Sequence, residues 1–266
     1  MKRIVILMAA LVLGGCAVSQ QQEVQMGQQY AAQISQQLPL INDPEIVRYI
    51  NVLGDSVANV TSRRDLDWHF YVVNSSEVNA FAVPGGYVYV NRGLIERATS
   101  MDELAGVLGH EIGHVVRRHS VHQMQQQQGA NVGITLACVL TSICNNQAAG
   151  TLVNVGTSAI FAKFSRADEA EADEEGFKNV VRAGISPEGL VTMFQKLINE
   201  RKSSPGAVDS WFATHPLEED RISDIQGLIN TLTPTQLAGL TKDTQNFHTF
   251  KSRLASLPAP PPTRAQ

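Results

Sequence analysis

The chain has 266 residues, 43% of them hydrophobic, and its 21 Lys and Arg against 25 Asp and Glu give a net charge of −4. That length and apolar content suffice to bury the core of one large domain with short appendages. The mild acidity, with no basic cluster, argues against a nucleic-acid partner.

Lys2 and Arg3 precede an apolar run over residues 4–13 that ends in Gly14, Gly15 and Cys16. The run has the form of a secretory signal and is too short to span a bilayer. Its ending, Leu13-Gly14-Gly15-Cys16, resembles the lipobox of bacterial lipoproteins, which implies cleavage before Cys16 and acylation of that thiol. Two or three acyl chains hold a protein stably on a membrane, whereas one does not. Ala17 stands where an aspartate commonly marks retention at the inner membrane. The expected location is therefore the bacterial cell envelope, with a lipid anchor on the periplasmic face of the outer membrane. The expected organisation is a signal peptide over 1–15, a tether over 16–22, a folded domain over 23–250 and a Pro-rich disordered tail over 251–266. Removing the signal leaves 251 residues with 19 basic and 25 acidic side chains, a net charge of −6. Cys138 and Cys144 then remain, and a small disulfide loop between them is compatible with an oxidising compartment but not required by it.

Residues 20–37 hold nine Gln, yet Met26, Tyr30, Ile34 and Leu38 recur every four residues, the signature of a helix with a Gln-rich wet face. Asp43 as N-cap and Pro44 at the first helical position open a second helix, with Ile46, Ile50, Leu53 and Val57 on one stripe. Residues 68–73, 80–83 and 87–90 are β-rich, the last two joined by Pro84-Gly85-Gly86, and predict a small antiparallel sheet. Two overlapping capping boxes, Thr99 with Asp102 and Ser100 with Glu103, predict a helix running through His119. Residues 129–161, poor in charge and broken by Asn145-Asn146, read as two helices around a loop. Further helices are expected at about 166–182, stopped by Gly184, then from Pro187 to about 200, and from Pro216.

The chemistry sits at His110-Glu111-Ile112-Gly113-His114. Helical positions four apart lie one turn above each other, so His110 and His114 can present two imidazole nitrogens to one metal ion. Glu111, beside them, can reach a water there without being a ligand. The motif alone is only moderately specific, but Leu104, Val107, Leu108 and Ile112 make this a core helix. Two histidines and a glutamate are costly in a core unless ligated or paired. Catalytic zinc takes three protein ligands and keeps one position open. On a continuous helix His119 points about 140° away from His114, and His122 lies about two turns further along. The third ligand then comes from elsewhere, and His119 and His69 are read as structural. The run Asp168-Glu169-Ala170-Glu171-Ala172-Asp173 offers candidates on a second helix. Glu169 could bind metal while Asp173 accepts a hydrogen bond from a ligand histidine, although by spacing Glu171 is nearly as good a ligand. A solvated acidic face is the plain alternative.

His110 to His114 with Arg118-His119 after it, Ser165-Arg166 leading into Glu169 to Asp173, and Thr214-His215-Pro216 followed by Arg221 resemble the gluzincin peptidase family of the CAAX prenyl protease and HtpX type, in its soluble periplasmic lipoprotein branch. The resemblance runs from about Met26 to about Leu228. It implies an α+β fold: a mainly helical, zincin-like metallopeptidase domain with a small antiparallel sheet beside the active-site helix. It implies one Zn2+ on His110, His114 and Glu169, with Asp173 as the hydrogen-bond partner behind the ligands and His215 and Arg221 at the cleft. The segment from Asn79 to Gly86 resembles the family's strand beside the cleft, so Asn79, Ala80, Phe81 and Ala82 are expected to pair with an extended substrate. The evident membrane-spanning helices of the integral members are lacking and no TPR-like repeat follows residue 228, so neither prenylated substrates nor a TPR-mediated partner is expected.

The function so implied is a zinc-dependent metalloendopeptidase cleaving unfolded or misassembled envelope proteins at the membrane surface, with Glu111 as general base. One rival is an outer-membrane assembly factor or chaperone that rarely cuts, for which Glu111 has no use. Another is a structural lipoprotein whose zinc has a closed fourth position. His215, next to Pro216, is expected at a helix N-cap, as an oxyanion donor, as a latch on the fourth zinc position, or as a cap alone. Residues 125–164, with Gly129, Gly133, Gly150 and Gly156, form a candidate lid.

Overall fold

A computed structural model describes residues 18–130 and 163–260, apart from 205, 207, 217 and 218. The signal, Cys16, Cys138, Cys144 and most of the candidate lid lie outside the described residues. Helices α1 (Gln20–Gln37) and α2 (Pro44–Ala58) lead into strands β1 (His69–Val73), β2 (Ala80–Val83) and β3 (Tyr87–Asn91). There follow α3 (Arg92–Arg97), α4 (Met101–Val116), α5 (His119–Ala130), α6 (Arg166–Arg182) and α7 (Glu188–Ser203). The last elements among the described residues are α8 (Asp209–Thr214), α9 (Glu219–Ile229), α10 (Pro234–Ala238) and α11 (Gln245–Ser256). The architecture is α+β and mainly helical. No helix among the described residues is long and apolar enough to cross a membrane.

The sheet is mixed, not antiparallel: its order is β1-β3-β2, with β1 parallel and β2 antiparallel to β3. Pro84-Gly85-Gly86 folds β2 back on β3 as expected, with both glycines at positive φ. The free side of β3 then takes β1 in parallel, Phe70 opposite Val88. Every residue of β2 and β3 is buried, because α1 covers one face and α2 and α4 the other.

Helix α4 is buried from Met101 to Val115, so it runs through the core and not along its surface. Its start is held by neither predicted capping box. Glu103 turns to the Thr99 amide (2.7 Å) and Lys196, and the Ser100 hydroxyl donates to Asp102. The C-terminal segment caps the helix instead: the Met101 amide donates to Asp243 Oδ1 (3.0 Å) and the Asp102 amide to the Lys242 carbonyl (2.9 Å). Its far end is also earlier than expected. α4 stops at Val116, Arg118 takes φ 58°, and α5 starts afresh at His119. Buried Glu23 of α1 holds this break, receiving Arg118 Nε (2.8 Å) and Arg63 Nη1 (2.9 Å).

Small residues bring the two motif helices together. A Cβ on Gly113 of α4 would lie 2.6 Å from the Ala172 carbonyl oxygen of α6, a backbone clash that only glycine avoids. At the chain's ends the observed elements overrun the expected boundaries. Ser19 caps α1 at Gln20, inside the expected tether, and α11 crosses residue 250 to pack Phe250 on Tyr49 (ring centroids 4.3 Å apart).

Candidate metal centre

One turn of α4 separates His110 from His114, and their rings meet edge-on with centroids 4.7 Å apart. Their Nε2 atoms lie 3.1 Å from each other. α6 begins at a full capping box on Ser165, which sets its first turns against α4 and points Glu169 between the two rings. Glu169 Oε2 is 3.6 Å from His110 Nε2, and Oε1 is 3.5 Å from His114 Nε2. His215 completes the group: its Nδ1 lies 3.3 Å from His110 Nε2 and 3.1 Å from Glu169 Oε1. These four residues could hold a metal ion, since one donor atom from each lies within 4.8 Å of all the others. Contrary to expectation, His215 is the C-cap of α8, held by its amide to the Trp211 carbonyl (2.9 Å), not an N-cap. The Trp211 indole stacks on its ring with centroids 4.6 Å apart.

A second ring of groups orients these. His110 Nδ1 is 2.8 Å from Asp173 Oδ1, and Asp173 receives Nε and Nη2 of Arg221, each at 2.7 Å. Arg221 Nη1 also lies 2.5 Å from Glu169 Oε2, but that oxygen has no partner in hydrogen-bond geometry, so the contact is one of charge. Glu111 Oε1 is 3.4 Å from His215 Nε2 and is likewise without a hydrogen-bond partner. Glu171 points outward with its side chain 52% exposed, whereas Glu169 is fully buried. Asn79, Ala80, Phe81 and Ala82 lie in or next to β2, at the sheet edge, where the Asn79 side-chain oxygen is buried without a partner. His69 sits in β1, stacked on Tyr87.

The protein groups alone set opposing proton affinities. Burial pushes the Glu111 carboxyl up, against the pull of His215 and His110. Burial also raises Glu169, but the charge of His215 and hydrogen bonds from His114 and His215 outweigh it and hold the carboxyl well below its usual range. Asp173 is likewise held low, because Arg221 overcomes its burial. His114 is pushed far down by burial. A bare His114 nitrogen facing a bare His110 nitrogen at 3.1 Å is unfavourable unless a cation lies between them.

The residue missed in the sequence is His119. Because the helix breaks at Arg118, the ring returns to the site, and its Nδ1 lies 2.9 Å from His114 Nδ1. No Gly or Pro marks that break, so helical periodicity pointed His119 away.

A family model described as Peptidase family M48 matches residues 44–229, which includes His110, Glu111, His114, His119, Glu169, Asp173, His215 and Arg221. The chain belongs to peptidase family M48. Membership of that family assigns it to the metallopeptidases. Among curated relatives, the beta-barrel assembly-enhancing protease of Escherichia coli (strain K12) is 33% identical over 90% of this chain and 49% of its own length. Metalloprotease LoiP of the same strain is 31% identical over 68% of this chain and 70% of its own. The mitochondrial metalloendopeptidase OMA1 of Schizosaccharomyces pombe (strain 972 / ATCC 24843) is 29% identical over 67% and 51%. The chain spans about half the length of the assembly-enhancing proteases it matches.

Proposed function

We propose that the protein is a zinc-dependent endopeptidase of the bacterial cell envelope, acting on unfolded or misassembled proteins and tethered at the periplasmic face of the outer membrane through acylated Cys16. The observation that carries the reading is the buried convergence of His110, His114 and Glu169 with Glu111 beside them, its Oε1 buried without a hydrogen-bond partner. The names of the bacterial relatives support the envelope as the place of action, and the sequence supports the anchor.

Two imidazoles and one carboxylate are the ligand set of many catalytic zinc sites. With zinc bonds of roughly 2.0–2.1 Å, tetrahedral donors stand about 3.3 Å apart, and with Glu169 contributing Oε1 four donor pairs here lie 3.1–3.5 Å apart. When bound, zinc supplies a Lewis acid that polarises the scissile carbonyl and eases the deprotonation of water. Glu111, its proton affinity raised by burial, takes the proton from the attacking water and passes it to the leaving amine. Asp173 keeps the proton of His110 on Nδ1, leaving Nε2 free for the ligand role, and Arg221 balances both carboxylates. β2, at the sheet edge, offers a rail for an extended substrate through strand addition.

His215 Nδ1 would be within reach as a fourth ligand, 3.3 Å from His110 Nε2 and 3.1 Å from Glu169 Oε1. This position favours the latch over the oxyanion donor, because a latched His215 occupies the place the attacking water needs.

The test is cleavage of unfolded casein with added zinc or a chelator. Zinc content should disappear in Glu169→Ala and persist in Glu111→Gln, while cleavage is lost in both. Full zinc in Glu169→Ala with loss in Glu171→Ala would overturn the ligand set. For the latch, His215→Ala should raise basal cleavage, whereas a drop of roughly 10²–10³-fold would assign His215 to the oxyanion instead.

A further inference from the structure

His110 and His114 are held by different means. His110 Nδ1 meets a carboxylate directly, Asp173 Oδ1 at 2.8 Å. His114 meets no carboxylate on that side: its Nδ1 meets the Nδ1 of another imidazole, His119, at 2.9 Å. His119 is buried, and its own Nε2 points to Glu171 Oε2 (3.5 Å) and Asp168 Oδ1 (3.8 Å) at the edge of the site.

The proton positions along this chain follow from counting. A neutral imidazole carries one N–H. If Nε2 of His114 faces the metal, its proton must be on Nδ1. Two Nδ1 atoms at 2.9 Å can share only one proton, so Nδ1 of His119 must be bare and accept it. The proton of His119 then sits on Nε2, on the side where the facing acids among the described residues are Glu171 and Asp168. Reversing either tautomer puts two lone pairs, or two protons, face to face.

The ring reaches this place through the backbone. α4 ends at Val116, Arg118 adopts φ 58°, and its guanidinium is tied to Glu23 Oε2 (2.8 Å) and the Val18 carbonyl (2.6 Å). An arginine in the left-handed region is strained unless its surroundings hold it there. What the break achieves is the return of His119 to His114; a straight helix would turn it about 140° away.

We propose that His119 is a positioning residue for His114, accepting its Nδ1–H and thereby fixing the tautomer and ring angle that leave Nε2 free for zinc. The proposal rests on the zinc reading above, and the two fail in different experiments. Zinc affinity is measured by chelator competition on the full chain for wild type, His119→Leu and His119→Asn, with thermal unfolding of each under chelator. Leu fills the space without accepting a hydrogen bond; Asn places an acceptor oxygen close to where Nδ1 sits. The Leu variant should bind zinc roughly 10–100-fold more weakly, Asn should recover most of that loss, and unfolding under chelator should move little in either. Equal losses in Leu and Asn, or wild-type affinity in Leu, would overturn the proposal. Should the Leu variant not fold, nitrogen NMR of histidine-labelled wild type with zinc decides alone: His119 protonated on Nε2 supports the proposal, and on Nδ1 ends it. Wild type that binds no zinc at all would sink the zinc reading instead.

Discussion

Two arginine–carboxylate pairs of the same chemistry differ in how deeply the arginine is buried. Arg221 grips Asp173 with two bonds of 2.7 Å, the side chains 8% and 5% exposed. Arg253 grips Asp43 at 3.1 and 2.7 Å, with the arginine 45% and the aspartate 10% exposed. The bond lengths barely differ, so geometry alone would rank the pairs as equals. Their surroundings do not. Water can take the place of Asp43 at the exposed Arg253, whereas neither member of the inner pair has water within reach. The inner pair also touches the site, through His110 on one side and Glu169 on the other. The candidate metal centre is thus fixed by charges that cannot be re-solvated, and the α2–α11 contact by a pair whose arginine can be.

The sharpest way to break this comparison is to remove one member of the inner pair. Arg221→Leu leaves Asp173 and Glu169 buried without their counter-charge, and loss of one partner of a buried pair costs about 3–5 kcal/mol. Denaturant unfolding should show that loss, and metal analysis a weakened zinc site. Arg253→Leu should be far milder on both measures. Equal effects of the two substitutions would mean that burial is not what ranks the pairs.

An intermediate case sharpens the scale. Glu23 is fully buried, but its partners Arg63 and Arg118 are 11% and 30% exposed and can reach water if it is removed. Glu23→Gln should therefore cost about 2 kcal/mol, the range for a hydrogen bond to a charged group. The loss should be felt at the Arg118 turn, as faster amide exchange in α1 and around residue 118. A variant as damaged as Arg221→Leu would place the clasp among the irreplaceable pairs.

What could be read from the sequence divides along a similar line, between local and remote causes. His110, Glu111 and His114 share one helix turn, so their convergence follows from spacing. Glu169 and Asp173 share another, on the helix expected over about 166–182. The mixed sheet was not legible: the Pro84-Gly85-Gly86 turn specifies β2 on β3, but nothing in 68–73 says which edge of β3 that strand takes. The cap of α4 escaped because Asp243 comes from 142 positions away. His119 escaped because the break is held by Glu23, 95 positions from Arg118, in place of a glycine or proline. His215 was given to the helix after it when it ends the helix before it.

The smallest effect is expected at Asp43, and its sign with pH can be worked out. Asp43 caps α2 through the Glu45 and Ile46 amides and also binds Arg253 of α11. The hydrogen bond from Arg253 is the main reason its carboxyl lies below the usual range, with the Ile46 and Glu45 amides adding to it. A carboxyl lowered in the folded state stabilises above its unfolded value, and the contribution fades as pH falls through the folded one. Acid should therefore loosen the tie between α2 and α11. Asp43→Asn separates cap from charge, since asparagine caps about as well but cannot pair with arginine. At neutral pH and low salt the variant should melt slightly below wild type. The gap should narrow as pH drops below about 4 and close in ~1 M salt, where screening acts within about 3 Å. A gap that survives both acid and salt would belong to packing, and Arg253 would then hold α11 through its aliphatic stem and not through its charge.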